Sequence, residues 1–214
     1  TPNKYQIVMS SSLSILGDRE YTLVTAELTS ATTTYLGNSF NYNFFNTGNG
    51  VYGIRPDSAE TIDSLTGISN IQFDDKKLNI TTDIKAVFDQ VTGKENPSGE
   101  MFRLYNAAFA RFPDADGLKY WIGKYSSGEN DSRSVASSFL ASAEFTEKYG
   151  SNVSDETYVN NLYKNVLGRD ADAEGLNYWV GNLRNGIETR YEALLGFAES
   201  AENKALFTEM TGFG

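Results

Sequence analysis

The sequence predicts an α+β protein: an antiparallel β-rich module over residues 1–81, then an all-helical tandem duplication. Three observations predict it. Apolar and aromatic residues alternate with polar ones in the first third, the apolar spacing turns helical near Thr82, and one residue pattern then recurs with a constant shift of 58.

In the first module Tyr5, Ile7 and Met9 alternate, Thr22 to Leu28 is rich in β-formers, and Ser39 to Phe45 alternates aromatics with Asn. Gly17-Asp18, Gly37-Asn38 and Asn49-Gly50 lie between such runs and are pairs that tolerate positive φ at hairpin turns. Ser69 to Phe73 and Leu78 to Thr81 flank Asp74-Asp75-Lys76-Lys77, which reads as a further hairpin connection.

Residues 82–99 read as a helix and linker. Ile84, Val87, Phe88 and Val91 fall on one helical face, with Asp83 as cap and Gly93 as stop, so this helix is expected to act as a hinge. GKENPSG, residues 93–99, is polar and turn-forming.

The first repeat occupies 100–150 and the second 151–214. Met101, Leu104, Tyr105, Ala108 and Phe109 form one stripe; Leu118, Trp121, Ile122 and Tyr125 form another after the turn FPDADG. A third helix is expected from Asp131 to near Gly150, with Val135, Phe139 and Ala143 inward. Shifted by 58, Leu104-Tyr105 becomes Leu162-Tyr163, Arg111 becomes Arg169, Asp114-Ala115 becomes Asp172-Ala173, Tyr120-Trp121 becomes Tyr178-Trp179, and Ser142-Ala143-Glu144 becomes Ser200-Ala201-Glu202. A unit that cannot bury its own apolar face gains by stacking on a copy of itself, so the two copies are expected to share a core.

The chain has 214 residues, 40% of them hydrophobic, enough for one substantial core or two smaller ones. Its net charge of −10 opposes nucleic acid and anionic membranes as partners. There is no cysteine and no histidine, which removes disulfides, thiolate nucleophiles, zinc sites of the Cys type and the commonest general base. No run reaches the roughly 20 apolar residues of a membrane span, and TPNKYQIVMSSS lacks the pattern of a secretory signal. The chain reads as soluble.

Three sets of residues invite a functional reading. Asp170, Asp172 and Glu174 have the spacing with which an EF-hand loop begins, and Asp114 and Asp116 stand in the first copy, so Ca2+ is the one cofactor the sequence raises. Twelve residues on from Asp170, however, stands Gly181 and not a bidentate Glu, and Phe112 replaces Asp170 in the first copy. The favoured alternative is that these acids cap the helix beginning near Gly175. Tyr120 and Tyr178 point about 100° away from the tryptophans, which lie on the buried stripe, and are candidates for an outer ligand contact. Arg111 and Arg169 could contact an anionic partner, but are more simply read as clips holding each turn to a helix end.

LYNAAFARFPDADGLKYWIGKYSSG and LYKNVLGRDADAEGLNYWVGNLRNG, the latter followed by LLGFAESAENKALF, resemble the helical repeat domain of unknown function found near the C-terminal ends of RTX-type secreted and surface proteins. The wording is similar to the version common in marine cyanobacteria, and the pattern is distantly similar to phycobilisome linker domains. The resemblance covers about residues 82–214; SLTGISNIQFDDKKLNI more weakly resembles the strand-rich segment ending RTX-like β regions, although calcium-binding nonapeptides are absent. It implies type I export to the medium or cell surface and supplies no catalytic residues. The resulting expectation is a non-catalytic secreted or surface accessory module with a protein or surface glycan as partner. A calcium-dependent carbohydrate-binding or adhesive protein, and an intracellular phycobilisome-like linker, are the alternatives; an enzyme comes last.

Overall fold

A computed structural model describes residues 31–214. The predicted strands at Tyr5–Met9 and Thr22–Leu28 and the turn at Gly17-Asp18 lie outside them. Among the described residues six short strands precede the helices: β1 (Thr32–Thr34), β2 (Tyr42–Gly48), β3 (Val51–Pro56), β4 (Asp63–Ser64), β5 (Asn70–Gln72) and β6 (Lys77–Asn79). They form two three-stranded sheets, β2-β3-β4 and β1-β5-β6. All pairings are antiparallel except β1 with β5, which is parallel. Asn49 and Gly50 both take positive φ, 53° and 73°, so the β2–β3 hairpin turns where the sequence placed it. Gly37-Asn38 instead precedes a 3-10 turn, Ser39–Asn41. That turn is tied to the other sheet by Asp75, whose carboxylate accepts from the Ser39 N–H and hydroxyl, both at 2.7 Å.

The helical half starts on a π-helical turn, Ile80–Lys85, which runs into α1 (Ala86–Phe88). Its cap is Asn79, whose side chain accepts from the N–H groups of Thr81 and Thr82; the expected cap, Asp83, instead reaches back to the Asn79 N–H at 2.7 Å. Ile84, Val87 and Phe88 are buried, so the segment expected to act as a hinge is embedded in the core. Eight helices follow: α2 (Pro97–Phe109), α3 (Ala115–Ser126), α4 (Ser132–Leu140), α5 (Ala143–Tyr149), α6 (Asp155–Leu167), α7 (Ala173–Arg184), α8 (Arg190–Ala198) and α9 (Ala201–Thr211). Pro97 to Gly99, expected in a linker, form the first turn of α2: Asn96 caps it and Pro97 sits where its missing N–H costs nothing.

Helices α2, α3 and α4 share start and end with α6, α7 and α8 at the 58-residue shift, and α9 outruns α5 by four residues. The single third helix of the sequence reading is two helices in each copy. Ser142 and Ser200 break it by accepting from the N–H three residues on, Phe145 and Asn203. Ala143, expected inward, therefore begins a new helix and is exposed.

One continuous core runs from the sheets through both copies. Phe112 is its junction: its ring lies 5.0 Å from Phe44 of β2, 5.2 Å from Phe88 of α1 and 5.9 Å from Phe102 of α2, and Phe102 in turn meets Phe207 of α9 at 5.5 Å. The copies are also joined by a pair that the duplication does not repeat. Arg103 of α2, 1% exposed, donates from Nε and Nη2 to Glu199 at 2.9 and 2.7 Å and from Nη1 to the Lys94 carbonyl at 2.6 Å. Each of these donors serves a different acceptor atom, as a buried guanidinium requires. Arg55 of β3 binds Glu209 of α9 in the same two-pronged way, fastening the hairpin to the last helix.

Candidate functional site

Four of the residues singled out in the sequence, Arg111, Asp114, Arg169 and Asp172, meet at one feature formed twice: the turn from α2 to α3 and its copy from α6 to α7. In the first copy Asp114 is the N-cap of α3, its Oδ1 accepting from the Gly117 N–H at 2.7 Å while its other oxygen receives the Tyr105 hydroxyl. Burial pushes the Asp114 carboxyl up, but the Tyr105 hydroxyl, the Gly117 N–H and Arg111 together bring it below the ordinary aspartate value. In the second copy Asp172 caps α7 through the Gly175 N–H at 2.8 Å, and that bond with nearby Arg169 lowers its pKa. Both helices begin two residues before the Gly117/Gly175 position, at Ala115 and Ala173. A β-carbon at either glycine would press on a tyrosine hydroxyl, at 2.7 Å from Tyr105 and 2.0 Å from Tyr163. That contact is why glycine returns at this place in the second copy.

The arginines close each turn onto the fourth helix of its own copy. Arg111 Nη2 binds Glu144 at 3.0 Å, and Arg169 binds Glu202 at 2.9 and 2.7 Å, each across 33 residues. Each guanidinium also lies over the tyrosine of its copy, Tyr105 at 5.3 Å and Tyr163 at 4.9 Å. Glu144 and Glu202 belong to the repeated Ser-Ala-Glu, where their return in the second copy was visible in sequence but their partner was not. The positive charge of both arginines is thus spent within the fold.

The remaining acids do not converge. Asp170 is 86% exposed at its side chain and lies 3.4 Å from Lys164; Asp116 and Glu174 are exposed in the first turns of α3 and α7. An EF-hand needs a non-helical loop of twelve residues, whereas α7 starts three residues after Asp170 and takes Glu174 and Gly175 into its first turn. Among the described residues no group of three or more His, Cys, Asp or Glu side chains is arranged to hold a metal.

Tyr120 and Tyr178 stand outward, 55% and 57% exposed, each edge-on to the tryptophan beside it at 5.0 and 5.3 Å. The tryptophans pack inward on Phe139 and Phe197 at 5.1 and 5.2 Å. Gly196, where the first copy has Ser138, makes room for the Trp179 ring: a β-carbon there would meet the indole at 2.4 Å.

Among the described residues no helix is long and apolar enough to cross a membrane. No curated protein and no solved structure matches the chain. Residues 136–207, from within α4 into α9 and so across the joint between the two copies, match the family described as Domain of unknown function (DUF4214).

Proposed function

We propose that this chain is a non-catalytic interaction module of a secreted or cell-surface protein, and that the paired outward tyrosines of its helical copies form its contact face. The observation that carries the reading is the return of Tyr120 as Tyr178, both more than half exposed on the same turn of equivalent helices, while the other rings of the two copies are buried or partly buried against the core. A tyrosine on a surface presents a large rigid apolar body with a hydroxyl at its tip, which is why such residues dominate contact surfaces. The acids and arginines of the two turns serve the fold, and the absence of histidine and cysteine leaves little else for catalysis. Export outside the cell rests on the resemblance to RTX-type secreted and surface proteins.

The test is binding of the fluorescently labelled chain to intact cells of the organism that makes it, compared with Tyr120→Ser/Tyr178→Ser. Saturable binding that the double variant loses, at an unchanged melting temperature, is the expected result. Equal binding by both proteins would remove the tyrosine face from the account.

A further inference from the structure

A second feature lies where the two copies meet the β module. The last turns of α2 and α6, equivalent elements, converge there with the 3-10 turn at Ser39–Asn41 and the start of α9, enclosing a cleft of about 480 Å³. That volume falls within the roughly 300–1,000 Å³ of small-molecule sites.

The cleft's chemistry is polar but nearly charge-balanced. Arg111, Lys164 and Glu202 line it, yet each already has an ion-pair partner: Arg111 with Glu144, Lys164 with Asp170 at 3.4 Å, and Glu202 with Arg169. Asp57 accepts from the Asn43 side chain at 2.8 Å. Lys148, which is not part of the cleft wall, places its ammonium 4.6 Å from the centre of the Phe40 ring, with Asp57 and Glu144 as the carboxylates near enough to act on it. Burial raises the Asp57 pKa, so this carboxylate of the cleft wall is already partly stripped of water. What remains for a ligand is the Asn106 amide, which makes no side-chain hydrogen bond, the free oxygen of Asn43, and the half-exposed ring of Phe40.

From this arrangement we infer that the cleft is a binding site for a neutral saccharide unit, held by the amides of Asn43 and Asn106 and the carboxylate of Asp57, with Phe40 as its apolar wall. A sugar presents vicinal hydroxyls, each a donor and an acceptor, which match planar amides and a carboxylate, and a C–H face that packs on an aromatic ring. An anionic ligand would have to displace Glu144 and Asp170 from Arg111 and Lys164 while meeting Asp57 and Glu202, and an apolar one would strand the amides without partners. The site uses none of the tyrosine face and no metal, so it stands or falls separately from the proposed contact surface.

Saturation-transfer NMR on the whole chain tests it, with glucose, galactose, mannose, N-acetylglucosamine, maltose and cellobiose as probes, each with calcium and with chelator. At least one is expected to give a saturable signal, unchanged by chelator. Phe40→Ala and Asn106→Leu, both at the cleft wall and outside the buried core, should each weaken that binding at least tenfold, while Tyr120→Ser/Tyr178→Ser leaves it intact. No saturable signal from any probe, or a signal that both cleft variants retain, overturns the inference. A signal lost only in the tyrosine variant would also overturn it and move sugar recognition to the tyrosine face.

Discussion

Phe112 and Asp170 occupy the same position in the two copies, yet Phe112 is buried among Phe44, Phe88 and Phe102 while the Asp170 side chain is 86% exposed. The duplication supplies the same turn twice, and the β module covers only the first. The residue that departs from the acidic pattern is the one on which the sheets dock.

The two positions should therefore respond in opposite ways. Phe112→Ala removes a ring that joins three elements and is expected to cost about 3–4 kcal/mol, which for a chain of this size lowers the melting temperature by roughly 10 °C. Phe112→Asp, the residue of the other copy, should be worse, because it buries a carboxylate with no partner. Asp170→Asn should leave the melt unchanged. Thermal denaturation followed by circular dichroism reads all three.

Ala110 ends α2 in the left-handed region, φ 47°, and its counterpart Gly168 ends α6 there at φ 67°. A β-carbon disfavours this conformation, and nothing lies within 4 Å of where one would sit on Gly168, so backbone preference alone sets the cost there. Ala110→Gly is expected to stabilise by about 1 kcal/mol and Gly168→Ala to destabilise by about the same amount. Urea midpoints check the pair, and a loss of stability in Ala110→Gly would show that the alanine methyl contributes packing that outweighs its strain.

Several carboxylates are held below their ordinary pKa: Asp131 by the Ser134 hydroxyl and N–H, Asp172 by the Gly175 N–H, Glu202 by Arg169, and Asp75 by Ser39 against its partial burial. For an acid whose folded pKa is depressed, the native state binds fewer protons than the unfolded one, so its stabilisation is full above the unfolded value and is lost as pH falls. Asp57, raised by burial, runs the other way but is a single group. The melting temperature should be flat from neutral pH down to about 5 and fall steeply below about 4. Stability that held to pH 3 would mean that the caps and ion pairs contribute little.

The duplicated acids are caps in this account, so calcium should not stabilise the fold. The melting temperature is expected to be equal in calcium and in chelator, and equal in Asp170→Ala, since a ligand bound only to the folded state must raise it. A calcium-dependent rise lost in Asp170→Ala would restore the loop as a metal site.

Much of this was legible in the residues. The 58-residue shift makes the helices of the second copy equivalents of those in the first, and helix capping is local: Asp114 and Asp172, three residues before a glycine, already describe an N-cap. The division of the third helix was harder to see. Neither Gly nor Pro marks Ala141 to Ala143, and the signal was the serine that recurs as Ser142 and Ser200. The cap of the first helix was misread because Asn79 sits inside what reads as a strand, and Asp83 serves it from four residues away. Docking of the sheets on the first copy, the Arg103–Glu199 joint and the cleft between the copies depend on residues far apart in the chain, and no periodicity encodes them. Phe112, an aromatic in an otherwise acidic turn, was the one local trace of that docking.

The central claim is that the chain acts outside the cell as a contact module, and antibody labelling of intact cells of the source organism, beside the same cells permeabilised, tests it most directly. The account predicts labelling of intact cells or recovery of the chain from the medium. Signal confined to permeabilised cells would contradict it and favour an intracellular linker of large assemblies.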